Sequence, residues 1–229
     1  FIPLNEQRIP RSDEAVSSTL DPIFGTLITR KIRHIKSSFF IFSLDRSREE
    51  LSINEGGLRH NANSPKTYVE GYFQNLSDIN SHVTYVSGRP PEKEISKFSD
   101  ATMIEVSISN ELAERFDITL GDVIVSTPSL DHVTKLCVDY QQGMERKFCK
   151  NLMSTAKVVG FFAPKVRNDP FWQGDSNQFL HPYPDDAENI PPPVPYLAMF
   201  VHEESLIKGI GRAYSGSVVD ITWYNEVDE

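Results

Sequence analysis

The chain has 229 residues and a hydrophobic content of 39% against 24% charged, enough for a real core and too apolar for a disordered segment. Its 32 acidic and 23 basic residues give a net charge of -9, which argues against nucleic acid as a partner because such binders concentrate basic surface. No apolar run reaches the roughly 20 residues that a bilayer-crossing helix needs.

The chain opens on Phe-Ile-Pro-Leu without Met and closes just after a strand pattern, so it reads as a piece excised from a longer protein. A short helix is expected within 11–25, ended by Asp-Pro and Gly25. Strands follow at 27–35 and 37–44. The basic run "TRKIRHIK" alternates as a strand with one charged, solvated face. Residues 45–66 carry Gly-Gly, Asn and Pro and read as a long loop. "TYVEGYF" is a strand, "NLSDIN" a helical turn with Asn75 as a cap, and "SHVTYVSGRPP" a strand. Gly88-Arg89-Pro90 closes that strand, since proline cannot donate to the ladder.

"ATMIEVSIS" sets Ile104, Val106 and Ile108 on one face of a strand, and Ser109 or Asn110 caps the helix "NELAERF". Gly121 supplies a positive φ and Asp122 accepts amide hydrogen bonds, so "ITLGDVIVS" turns from helix into strand. Leu112, Phe116, Ile118 and Leu120 are expected beneath Val123–Val125. Cys137 and Cys149 bracket a polar loop and form either a hairpin-closing disulfide or two unpaired thiols. "STAKVVGFFAP" is a strand. The Pro-rich run at 181–195 is stiff and extended, and "YLAMFVH", a short helix and "GSVVDITWY" finish the chain. There is no clear internal repeat. Many strands, few short helices and no βαβ alternation make the chain α+β and β-rich.

Chemistry-bearing patterns are sparse. None of the six histidines sits in a nucleophile-elbow or metal-ligand spacing, so no catalytic, cofactor or metal residue is assigned. The best oxygen-and-nitrogen cluster is His181, Asp185, Asp186 and Glu188, read as a solvated acidic tip. In "DPFW", Phe171 and Trp172 either cap the end of a small barrel or stand exposed as an aromatic anchor for a partner.

Two families share the helix–Gly-Asp–strand step at 110–126. One is the double-psi barrel group, which implies a soluble enzyme or cofactor-binding domain. The other is the extracytoplasmic, MacB-like domain of FtsX-like ABC transporter permeases. "HVTYVSGRPPE" at 82–92 resembles the "v..GR.P" step of the permease domains, and "AKVVGFFAPKVRNDPFWQGD" at 156–175 resembles their "vvGif.p.d..dpyW" step. The order is the same, and the likeness spans 68–175.

The permease resemblance implies a non-catalytic domain on the extracytoplasmic face of the cell membrane, without a cofactor. It implies a cytoplasmic ABC ATPase as partner through the missing membrane part, cargo or partner proteins outside, and a dimer in the intact transporter. It also implies two lobes: a porter-like α+β lobe from 1–90 plus 194–229, and a small α/β barrel lobe from 91–193. A Cys137–Cys149 bond would suit that location.

Overall fold

The computed structural model describes residues 2–3, 6–44, 68–98, 101–129, 154–173, 175–182, 194–214 and 218–227. Eleven strands share one sheet: β1 (Ile2–Pro3), β2 (Ile28–Ser37), β3 (Phe40–Ser43), β4 (Tyr68–Leu76), β5 (Val83–Gly88), β6 (Ile95–Phe98), β7 (Ala101–Ser109), β8 (Val123–Pro128), β9 (Ser154–Pro164), β10 (Leu197–Phe200) and β11 (Val218–Val227). The described helices are α1 (Arg8–Phe24), α2 (Ile79–His82), α3 (Asn110–Arg115), α4 (Asn177–Leu180) and α5 (Gly211–Ala213). A π-helical turn, Ser205–Ile210, leads into α5, and a 3₁₀ turn spans Pro170–Trp172. The protein is therefore α+β and β-rich.

Six strands close on themselves in the order β3-β4-β10-β7-β9-β8, because β3 pairs with both β4 and β8. Two pairings in this barrel are parallel, β4 with β10 and β7 with β9. The seam between β10 and β7 is a single antiparallel pair, Phe200 with Ser107. The pairing pattern repeats: β3, β4 and β7 form one unit, and β8, β9 and β10 the other. In each, the first two strands are antiparallel, and the second runs parallel to the third strand of the other unit. A short helical element follows the third strand of both. The sequence hides this repeat because unlike insertions separate the second and third strands of the two units.

The alternation read from the sequence fills the barrel. Ile104, Val106 and Ile108 point inward beside Phe40, Phe42 and Phe73. The rings of Phe40 and Phe73 meet edge to face at 5.1 Å. Tyr214 closes one end, donating to the Ser126 carbonyl at 3.2 Å and the Ser154 hydroxyl at 3.0 Å. Burial pushes its phenol up to about 12, so it stays a donor.

The barrel takes β7, β8 and β9 from residues 91–193, but β3, β4 and β10 from the flanking segments. Boundaries drawn at 91 and 193 thus run through the barrel. The chain ends build an antiparallel extension outside it, β1-β11-β2, which continues from β4. Helix α1 is longer than the sequence suggests, 17 residues with Pro22 inside, and buries Ile9 against the main core.

The basic run of β2 is solvated only at its start, where Thr29 and Lys31 are exposed. Arg33 pairs with Asp13 of α1 and with Glu203, and the indole of Trp223 also donates to Asp13 at 2.9 Å. On the opposite face His34 is buried, at 9% exposure. Asn75 lies within β4 and does not cap a helix; its amide donates to the Val201 carbonyl at 2.9 Å.

Candidate functional site

Three motifs distant in the sequence meet on three consecutive residues of β9, Val158–Gly160. On one edge, the Arg89 amide donates to the Val159 carbonyl at 3.0 Å, and Gly88 pairs with Gly160. On the other, the Gly121 amide donates to the Val158 carbonyl at 2.8 Å, and the Val158 amide donates to the Asp122 carbonyl at 2.9 Å. The register between β7 and β9 skips Val159, a bulge that frees its carbonyl for Arg89.

Each motif residue has a physical task here. Gly88 has φ +71, and a Cβ on it would lie 2.1 Å from the Val159 oxygen. Gly121, at φ +92, is needed only for its backbone, since a Cβ there meets nothing. Asp122 accepts from the Thr119 amide and hydroxyl, both at 2.8 Å, as the sequence implies. Pro90 ends the ladder, and Arg89 forks onto Glu105 at 2.7 and 2.6 Å. Burial raises the Glu105 pKa, but hydrogen bonds from Arg89 and the Glu92 amide outweigh it and hold the carboxyl below its ordinary range. Leu112 and Ile118 are buried in the main core with Ile124, and Phe116 packs against it half-buried, whereas Leu120 is 47% exposed and turns toward Gly88 instead.

Removing the Asp122 carboxylate in Asp122→Ala should cost about 1 kcal/mol, because the two hydrogen bonds that hold Thr119 at the turn are lost to solvent. Urea unfolding measures this, and Asp122→Asn should recover part of the loss.

The aromatic anchor is corrected by burial. Phe171 and Trp172 are both 0% exposed and form a second core with Phe162, Phe179 and Phe200. Asp169 caps their 3₁₀ turn through the Phe171 amide at 2.9 Å and pairs with His82 Nδ1 at 2.7 Å. The His82 ring stacks on Phe171 with centroids 3.8 Å apart. These side chains offer no surface to a partner.

His181 reaches the start of α3. Its Nε2 lies 2.9 Å from the Ser109 hydroxyl and 3.4 Å from Glu111. Burial lowers its pKa, and the charge of Glu111 only partly opposes this. Ser109 is 2% exposed, and its hydroxyl already accepts from the Leu112 amide as the cap of α3. The pair therefore ties α4 to α3. Asp185, Asp186, Glu188, Cys137 and Cys149 lie outside the described residues.

A feature that the sequence did not single out is a cavity of about 430 Å³ between β2, β11 and α4. Its floor is one face of the β2–β11 ladder, where Lys36 opposes Asp220 and His34 opposes Thr222. Gln178 and Phe179 of α4 wall it. His34 bonds the Gln74 side-chain oxygen at 2.8 Å, and Gln74 in turn donates to the Phe179 carbonyl at 2.7 Å. Desolvation lowers the His34 pKa to about 4, against the raising effect of the Gln74 bond, so the ring is neutral. Alternation alone could place His34 and Lys36 on one face, but the strand that opposes them comes some 190 residues later.

Comparison with protein-family models, with curated proteins and with solved structures finds no match to this chain. Among the described residues no cluster of three or more His, Cys, Asp or Glu could hold a metal ion, and no helix is long and apolar enough to cross a membrane.

Proposed function

We propose that the chain is the extracytoplasmic domain of an FtsX-like ABC transporter permease. It acts without covalent chemistry, coupling ATP hydrolysis by a cytoplasmic subunit or domain to the handling of cargo or partner proteins outside the membrane. The observation that carries this reading is the convergence on Val158–Gly160. The Gly-Arg-Pro, Gly-Asp and Val-Val-Gly steps that carry the resemblance belong to one hydrogen-bonded unit, which supports reading them as a set. The α+β layer built by the chain ends, outside a barrel filled with side chains, agrees with a scaffold that transmits motion.

A free-standing, double-psi-barrel-like enzyme or cofactor-binding domain is the second reading. The closed six-stranded barrel with two interlocked units favours it. It predicts a ligand cleft at the barrel, where Phe40, Phe42 and Phe73 now fill the interior.

Sequencing the parent gene on both sides of the chain separates the two. The permease reading expects hydrophobic spans of about 20 residues upstream and downstream, and an ABC ATPase encoded with them. A start codon and a stop codon at the two ends would exclude it and leave the second reading.

A further inference from the structure

We propose that the cavity between β2, β11 and α4 binds a small zwitterion, an α-amino acid or short peptide with a free ammonium and a free carboxylate. The proposal rests on the cavity alone and stands whether or not the permease reading holds.

The floor carries opposite charges side by side. Lys36 and Asp220 are directly opposed on antiparallel strands, so their Cβ atoms lie about 5 Å apart on the same face. They nevertheless form no ion pair with each other. The Lys36 ammonium lies over the Tyr72 ring, 4.9 Å from its centroid, which leaves the Asp220 carboxylate open to the cavity. A cationic and an anionic side chain lining one small cavity suit the carboxylate and ammonium of a single small ligand.

The second observation is the state of His34. The Gln74 amide donates to the Phe179 carbonyl, so its oxygen is the end that faces His34 and must accept from Nε2–H. The ring is neutral, so Nδ1 carries a lone pair, and no described residue donates to it. A side chain nine-tenths buried thus presents, at the cavity wall, an acceptor to which no described protein group donates. A ligand ammonium would bond both this nitrogen and Asp220, while the ligand carboxylate meets Lys36. Ile221 and Tyr224 offer apolar surface for a side chain, and the exposed Thr222 marks the mouth.

Amide NMR titration of the 229-residue chain with L-alanyl-L-alanine and with L-phenylalanine tests this, with N-acetyl-L-phenylalanine amide as the uncharged control. Saturable shifts are expected at Lys36, Asp220 and Thr222 with at least one of the two zwitterions, and none with the control. Lys36→Met and Asp220→Asn should each weaken binding tenfold or more while leaving the melting temperature near that of the parent. No saturable shift at millimolar ligand overturns the proposal, as does equal binding of the uncharged control. Undiminished binding by a folded Asp220→Asn does the same. If either variant unfolds, the comparison of charged and uncharged ligands on the parent chain decides alone.

Discussion

Replacing Gly160 by alanine should cost more than about 3 kcal/mol, in the upper tail of single substitutions. A Cβ there would sit 2.1 Å from the Arg89 carbonyl oxygen and 2.9 Å from two ring atoms of Tyr85. The tyrosine ring can turn away. The carbonyl cannot, because Arg89 is held by its own amide on Val159 and by its guanidinium on Glu105. β5 would have to leave β9, taking the Gly-Arg-Pro corner with it. Gly121→Ala provides the contrast. Its Cβ has open space, so only the left-handed backbone resists, at about 1–2 kcal/mol. Chemical denaturation of both variants reads the difference. A Gly160→Ala protein as stable as Gly121→Ala would show that the corner is loosely packed.

The second large effect follows from pH. His34 is neutral in the folded protein with a pKa of about 4, against 6.5 for an unperturbed histidine. The unfolded chain therefore binds a proton first as pH falls. The stability that His34 contributes is complete above about pH 6.5 and is lost progressively down to about pH 4. At about 1.4 kcal/mol per pH unit the total is about 3 kcal/mol. Lys36 on the same face works in the same direction, and Asp220 and Tyr224 are the other titratable groups facing the cavity. His181, also lowered, titrates with the same sign, so the quantity to measure is a difference. Urea stabilities of the parent and of His34→Gln, taken at pH 7.5, 6 and 5, should diverge in slope. Parallel slopes would mean that the imidazole is charged in the fold.

Local physics carried much of the way from sequence to fold. Ser109 caps α3, Gly121 takes a positive φ and Asp122 holds Thr119, because each depends on residues within three positions. The inward face of β7 followed from alternation. What stayed hidden depends on partners far away in the chain. Barrel closure needs β3 to meet β8 and β4 to meet β10, and no periodicity encodes which strand a strand will choose. Phe171 and Trp172 favoured a barrel end over an exposed anchor in the sequence, but only the fold shows that Phe179 and Phe200 pack with them. The cavity was illegible for the same reason: Lys36 and Asp220 are ordinary surface-type charges until their strands pair. Strand β6 passed unnoticed beside the prolines that precede it.

The interlocking of the two barrel units bears on how the protein can be made. The parallel partner of Gly71 is Leu197, so β4 has an open side until nearly nine-tenths of the chain has emerged. A growing chain thus holds Phe40, Phe42 and Phe73 without a closed barrel to shelter them, and loops this long close slowly. The barrel cannot close before β10 has been made, so a chain cut short of it should be a substrate for chaperones and proteases that the folded barrel escapes.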